Sequence, residues 1–211
     1  MKKYIALFIL SLFCFTSCTT LSSQNIQNNT EQNSESDTNT DSNTNEQKEE
    51  DTEQTTVTDE NGTTYTKSFG SYTVPTGWVE NSTYSTKDKF FYLVDGTENE
   101  AFPNNISVNV GTNLYSAENH ISFRQAIVNQ LVSQLPKDTT LNGSGSHTAN
   151  DYVVYTFTFS VTENDMTLNA TQYYIVGDHK FVMVYESVYD GNTEEVDAVA
   201  KNIVDTFKWS E

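Results

Sequence analysis

The sequence predicts an α+β domain, a mostly antiparallel sheet with helices on both faces. Three observations predict it. Between Tyr152 and Val188 lie three long runs of strand-forming residues separated by short turns, the pattern of hairpin-linked strands. Two segments, ending near Leu135 and Phe207, repeat apolar residues at helical spacing. The last long run, Phe181 to Val188, is apolar on both faces, and such a strand must be covered on both sides.

In chain order, the first element is an address. Lys2 and Lys3 form a positive start, and Tyr4 to Phe15 is an apolar run in which Ser11 is the strongly polar exception. About 20 apolar residues are needed to span a bilayer, so this run is too short and fits the core of a secretory signal peptide. Phe15-Thr16-Ser17-Cys18 then resembles the lipobox of bacterial lipoproteins, with Phe15 where Leu is usual. The resemblance implies a signal peptide over residues 1–17, cleavage before Cys18 and diacylglycerol on the Cys18 thiol. Cys14 suits that role less well, because bulky Phe13 precedes it. A plain signal peptide cut after Ser22 is the alternative. Both cysteines of the chain lie in this region, so an exported domain has no disulfide and must be held by its core. Two or three acyl chains, as on a lipoprotein cysteine, make a stable anchor where one does not.

Thr19 to Glu60 is a tether. It consists almost wholly of Thr, Ser, Asn, Gln, Glu and Asp, with Leu21, Ile26 and Val57 as its large apolar residues. Such a segment cannot offset its ordering entropy by burial, so residues 18–60 are expected to be a disordered acidic spacer. As a flexible coil it spans roughly 35 Å. It also explains why the chain is only 36% hydrophobic, with 29 acidic against 11 basic residues and a net charge of −18. This charge repels phosphate and excludes nucleic acid as a partner.

Residues 61–211 form the domain, which holds both tryptophans and most of the tyrosine and phenylalanine. Ser71 to Val74 reads as a strand that Pro75 ends, after which Thr76-Gly77 turns the chain and Trp78 points back as an apolar anchor. Phe90 to Val94 and Ile106 to Val110 are the next strands. Ser116 or Asn119 caps a helix running to about Leu135, with Ile127, Val128, Leu131, Val132 and Leu135 as its apolar stripe, and Pro136 stops it. In Tyr152 to Val161, Val153, Tyr155, Phe157, Phe159 and Val161 face one way while Thr156, Thr158 and Ser160 face the other. Thr167 to Val176 follows, a Gly177-Asp178 turn leads to Phe181 to Val188, and Asp190-Gly191 turns the chain again. Asn192 with Glu195 three residues on reads as a capping box, opening a helix whose stripe is Val196, Val199, Ala200, Ile203, Val204 and Phe207.

A strand ending in Val74-Pro75-Thr76-Gly77-Trp78, a middle helix, long hairpin strands and a closing helix ending in Thr206-Phe207-Lys208-Trp209 together resemble the PsbP-like fold. That family includes photosystem extrinsic proteins, a nuclear Ran-binding protein and bacterial lipoproteins of the DcrB type. The resemblance covers about residues 65–209. It implies an α/β/α sandwich and a non-enzymatic binding or assembly role, and it carries no catalytic residue onto this chain.

The residues themselves offer little chemistry. His120, His147 and His179 lack the helical spacing of a metal pair, and no cysteine joins them. His179 reads as a hairpin-turn residue and His147 as a loop residue. Asp190 to Glu195 superficially resembles a calcium loop but lacks the alternating acids and distal Glu of an EF-hand, and capping explains its residues. Gly143-Ser144-Gly145-Ser146 lacks the strand-to-helix setting of a nucleophile elbow and marks a bend in a strand. No cofactor, metal or catalytic set is expected. The expected role is a non-enzymatic module held by Cys18 at the extracytoplasmic face of a bacterial membrane, binding a protein or envelope component. Acidity favours a cationic partner. An immunity or defence lipoprotein against a toxin or phage is the alternative. A hydrolase would require a cleft gathering at least two of His120, His147, Asp151 and Glu186.

Overall fold

The computed structural model describes residues 55–211. The signal peptide, Cys18 and the tether up to residue 54 lie outside the described residues. The compact unit that holds the described residues is Thr52–Glu211. Among the described residues, no helix is long and apolar enough to cross a membrane.

The fold is α+β. Its strands are β1 (Thr55–Asp59), β2 (Gly62–Lys67), β3 (Gly70–Pro75), β4 (Trp78–Glu80), β5 (Lys89–Val94), β6 (Asn105–Thr112), β7 (Asn142–His147), β8 (Val153–Glu163), β9 (Met166–Gly177), β10 (Lys180–Val188) and β11 (Lys208–Trp209). Helix α1 (His120–Gln134) follows a short 3₁₀ turn at Ala117–Asn119, and α2 (Thr193–Thr206) precedes β11. The main sheet has the order β4-β5-β6-β10-β9-β8-β7, and every neighbouring pair in it is antiparallel.

Both faces of this sheet are covered, as the doubly apolar run Phe181–Val188 requires. On one face, Phe123 of α1 packs against Tyr174 and Phe181, and Phe157 stands edge-on to Tyr174. On the other, Val182, Val184, Ile175 and Tyr173 share a core with Val196, Ala200, Ile203 and Phe207. The buried ridge of α1 is Phe123, Ile127 and Leu131, at i, i+4 and i+8. Val132, expected in that stripe, is 63% exposed, because a helix resting on a layer of rings buries one narrow ridge. The α2 stripe is buried as expected.

A second, four-stranded sheet, β1-β2-β3-β11, was not legible as such. Its strands β1 and β2 form a hairpin in which Val57 pairs with Thr64, so Thr55–Asp59 belongs to the sheet and not to the tether. Cross-strand hydroxyl pairs, Thr58–Thr63 at 3.1 Å and Thr64–Thr73 at 2.9 Å, supply the attraction that apolar residues supply elsewhere. Gly62 closes the hairpin at φ +144°, where a Cβ would meet the Val74 carbonyl oxygen at 2.2 Å. Two further readings change. Asp178 and His179, rather than Gly177 and Asp178, make the β9–β10 loop. Asn192 does not form a capping box: its Nδ2 donates to Glu195 Oε2 at 2.6 Å, and its backbone N–H goes to Asp190 Oδ1 at 2.8 Å.

The small sheet joins the main one through buried polar contacts set among rings. Tyr72 and Tyr92 share a buried hydroxyl pair at 2.7 Å, and Lys67 Nζ reaches Glu80 Oε2 at 3.2 Å beneath the Phe90 ring. Replacing Tyr92 by Phe leaves the Tyr72 hydroxyl buried without this partner and is expected to cost about 1–2 kcal/mol in chemical denaturation. The double variant Tyr72→Phe/Tyr92→Phe should cost less than the sum of the single changes, since it removes both halves together.

Candidate functional site

The pleat places Thr158 of β8, Thr171 of β9 and Glu186 of β10 in one row, because Thr158 pairs with Thr171 and Thr171 pairs with Glu186. Asn142 of the edge strand β7 extends the row by its pairing with Thr158. This row lies on the α2 side of the sheet. There α2 covers the central strands and leaves the β8 end, with Thr156, Thr158 and Ser160, without apolar cover. The result is a groove with a hydroxyl-rich floor and α2 as its wall. It consists of two hollows of about 690 and 540 Å³ that share Thr158, Thr171 and Asp197.

Its charge is one-sided. Glu186, Glu194, Asp197 and Asp138 line the first hollow, and Asp205 and Lys201 line the second beside Asp197. Lys201 is already tied to Asp197 one helical turn away, at 2.5 Å, which raises the lysine pKa. Tyr173 donates its hydroxyl to the other oxygen of Asp197, and burial pushes the tyrosine pKa up.

Glu186 is the exceptional member. It is only 2% exposed, Thr171 Oγ1 donates to its Oε1 at 3.1 Å, and its Oε2 has no hydrogen-bond partner. Burial raises its pKa to about 7, the negative charge of Asp197 adds to the rise, and the Thr171 hydrogen bond and Lys201 oppose it.

Of the other candidates, His147 reaches the groove and the rest fall elsewhere. His120 is on α1, hydrogen-bonded through Nδ1 to the Tyr155 hydroxyl at 2.6 Å, on the far face of the sheet from Glu186. His147 ends the edge strand β7 and borders the second hollow of the groove whose first hollow Glu186 lines, so the groove holds two of the four residues named for a hydrolase, one in each hollow. Asp151 sits at φ +63° in the turn before β8, and His179 at φ +54° in the β9–β10 turn. Gly143 to Ser146 is not a bend but lies within β7, exposed throughout. Asp190 accepts hydrogen bonds from Asn104 and the Asn192 backbone, which hold its carboxyl below the usual range. Among the described residues, no three His, Cys, Asp or Glu side chains are grouped so as to hold a metal ion. Sequence reasoning named Glu186 but missed Thr171, Tyr173, Asp197 and Lys201 as its neighbours. The polar alternation Thr156-Thr158-Ser160 was the available signal, since a row of hydroxyls facing a covered side marks an opening in the cover.

No protein-family model matches the chain, and no curated protein matches it. Solved structures do. LpqN of Mycobacterium tuberculosis, described as involved in cell envelope biogenesis, aligns with a TM-score of 0.53 at 14% identity, over 75% of this chain and 91% of that one. A structure from Bacteroides thetaiotaomicron aligns with a TM-score of 0.50 at 10% identity, over 72% of this chain and 49% of that one. The cyanobacterial PsbP of Synechocystis aligns with a TM-score of 0.44 at 16% identity, over 74% of this chain and 92% of that one. At these identities the likeness is one of fold: this chain shares the α+β architecture of LpqN and of part of a longer bacterial chain.

Proposed function

We propose that the protein is a non-enzymatic binding module, anchored by acyl chains on Cys18 at the extracytoplasmic face of the membrane, whose groove beside α2 receives a cationic partner. The observation that carries this reading is the groove itself, an open hydroxyl-rich floor bordered by five carboxylates, with Lys201 committed to Asp197. The fold likeness to LpqN, a protein named for cell envelope biogenesis, supports the envelope setting. The pairing of a positive start, a short apolar run and Cys18 supports the anchor.

Anchor and recognition are tested separately. In a bacterial host fed labelled palmitate, the full-length protein should carry label and sediment with membranes. Cys18→Ser should lose the label, and a labelled Cys18→Ser protein would refute acylation at this position. For recognition, calorimetry of the full-length protein in neutral detergent against pentalysine should show binding that weakens about tenfold or more between low and high salt. An affinity that does not change with salt would contradict an electrostatic groove.

A further inference from the structure

We infer that the row Thr158–Thr171–Glu186 is a subsite for a single organic cation, the ammonium of a lysine or the guanidinium of an arginine carried by the partner. The inference rests on the groove reading and adds the place where one charged group ends. Among the carboxylates of the groove, Glu186 is the one almost wholly removed from water, and its Oε2 lacks a partner. A buried acceptor without a donor is costly, and a donor entering the groove relieves that cost.

The donors required are cationic. Thr171 Oγ1 spends its hydrogen on Glu186 Oε1, so what it still offers a ligand is a lone pair. Carboxylate and hydroxyl oxygens together accept from an ammonium or guanidinium group, which carries donors and no acceptor. The row leads inward from Asn142 on the exposed edge across β8 and β9 to Glu186, a path of about 14 Å at the usual strand spacing. Polar residues thus line the way from solvent to the buried carboxylate. A metal ion fits less well, since among the described residues no third His, Cys, Asp or Glu side chain joins Glu186 and Asp197 in a group that could hold one. The charged and titratable groups around Glu186 are Asp197, Lys201 and Glu194 on α2, Tyr173 on β9 and Asp138 before β7.

The test uses the full-length protein in neutral detergent, titrated at pH 7 and low salt with pentalysine and with pentaarginine. Glu186→Gln should weaken binding at least tenfold, whereas Glu194→Gln with Asp205→Asn on the rim should weaken it no more than about threefold. Binding to the unaltered protein should release protons, read as a heat that depends on the buffer, and Glu186→Gln should abolish that release. If the rim variant loses binding while Glu186→Gln keeps it, the groove reading stands and the subsite is overturned. If neither peptide binds the unaltered protein, both fall. Calcium alone binding through Glu186 and excluding the peptides would also overturn the subsite. Should Glu186→Gln fail to fold, Thr171→Val carries the same comparison, and unchanged peptide affinity in that variant refutes the row.

Discussion

Phe207→Ala is expected to destabilise the domain by about 3–5 kcal/mol, a large part of the roughly 5–15 kcal/mol that such a domain possesses. Phe207 is the residue at which α2 stops: its ψ of 137° turns the chain from helix to the extended β11. Its side chain is fully buried and stands against three other rings, Trp209 at 4.8 Å, Tyr152 at 6.2 Å and Phe69 at 6.4 Å between centroids. Asn150 Nδ2 donates to its carbonyl oxygen at 2.9 Å, which ties the turn before β8 to the same point. Gly70 makes room on the far side, since a Cβ there would meet the Lys208 carbonyl oxygen at 2.3 Å and the Phe207 ring at 3.0 Å. One side chain therefore joins the small sheet, the last helix and the main sheet. Equilibrium denaturation in urea measures the loss, and Phe207→Leu, which keeps most of the volume, should cost clearly less than Phe207→Ala. A Phe207→Ala cost below about 1 kcal/mol would mean that the two sheets do not depend on this junction.

The features read well from the sequence are those in which burial and periodicity agree. The run from Val153 to Phe159, the doubly apolar β10 and the α2 stripe each place apolar side chains at the period of their element. The hairpin β1–β2 was hidden because Thr55–Asp59 is exposed along its whole length, so no apolar alternation marks it. The signal that survives is Asn61-Gly62 between two threonine-rich runs, although the chain turns at Glu60-Asn61 and Gly62 already pairs with Asp59. Strand β7 was hidden for a related reason: Gly143 and Gly145 carry no side chain to alternate, and the rings of Phe157 and Tyr155 on β8 lie against them instead. The groove was legible only in part. The outward hydroxyls of β8 could be read, but Asp197 and Lys201 meet them only because α2 returns across the sheet, and tertiary packing of that kind leaves no local pattern.

Glu186→Gln should stabilise the protein at alkaline pH by about 3 kcal/mol and leave it nearly unchanged at pH 4. The sign follows from proton binding. The carboxyl titrates near 4.5 in the unfolded chain and near 7 in the fold, raised first by burial and then by Asp197. Between those values the folded protein holds the proton more tightly, so stability is fully present below pH 4.5, falls as pH rises, and levels off above pH 7. At about 1.4 kcal/mol per pH unit, the span amounts to some 3 kcal/mol. Gln keeps the shape and cannot ionise, so the difference between the two proteins should grow across this window and then stay constant. Urea denaturation at intervals from pH 4 to 8.5 measures it, and a difference that does not vary with pH would show that Glu186 does not titrate as its burial demands. The same residue links stability to recognition. A carboxylate that costs the empty fold stability at pH 8 is one whose cost a bound cation removes. Saturating pentalysine should therefore raise the unfolding free energy of the unaltered protein at pH 8 by more than that of Glu186→Gln. Equal gains in both would place the peptide on the rim, away from the buried acid.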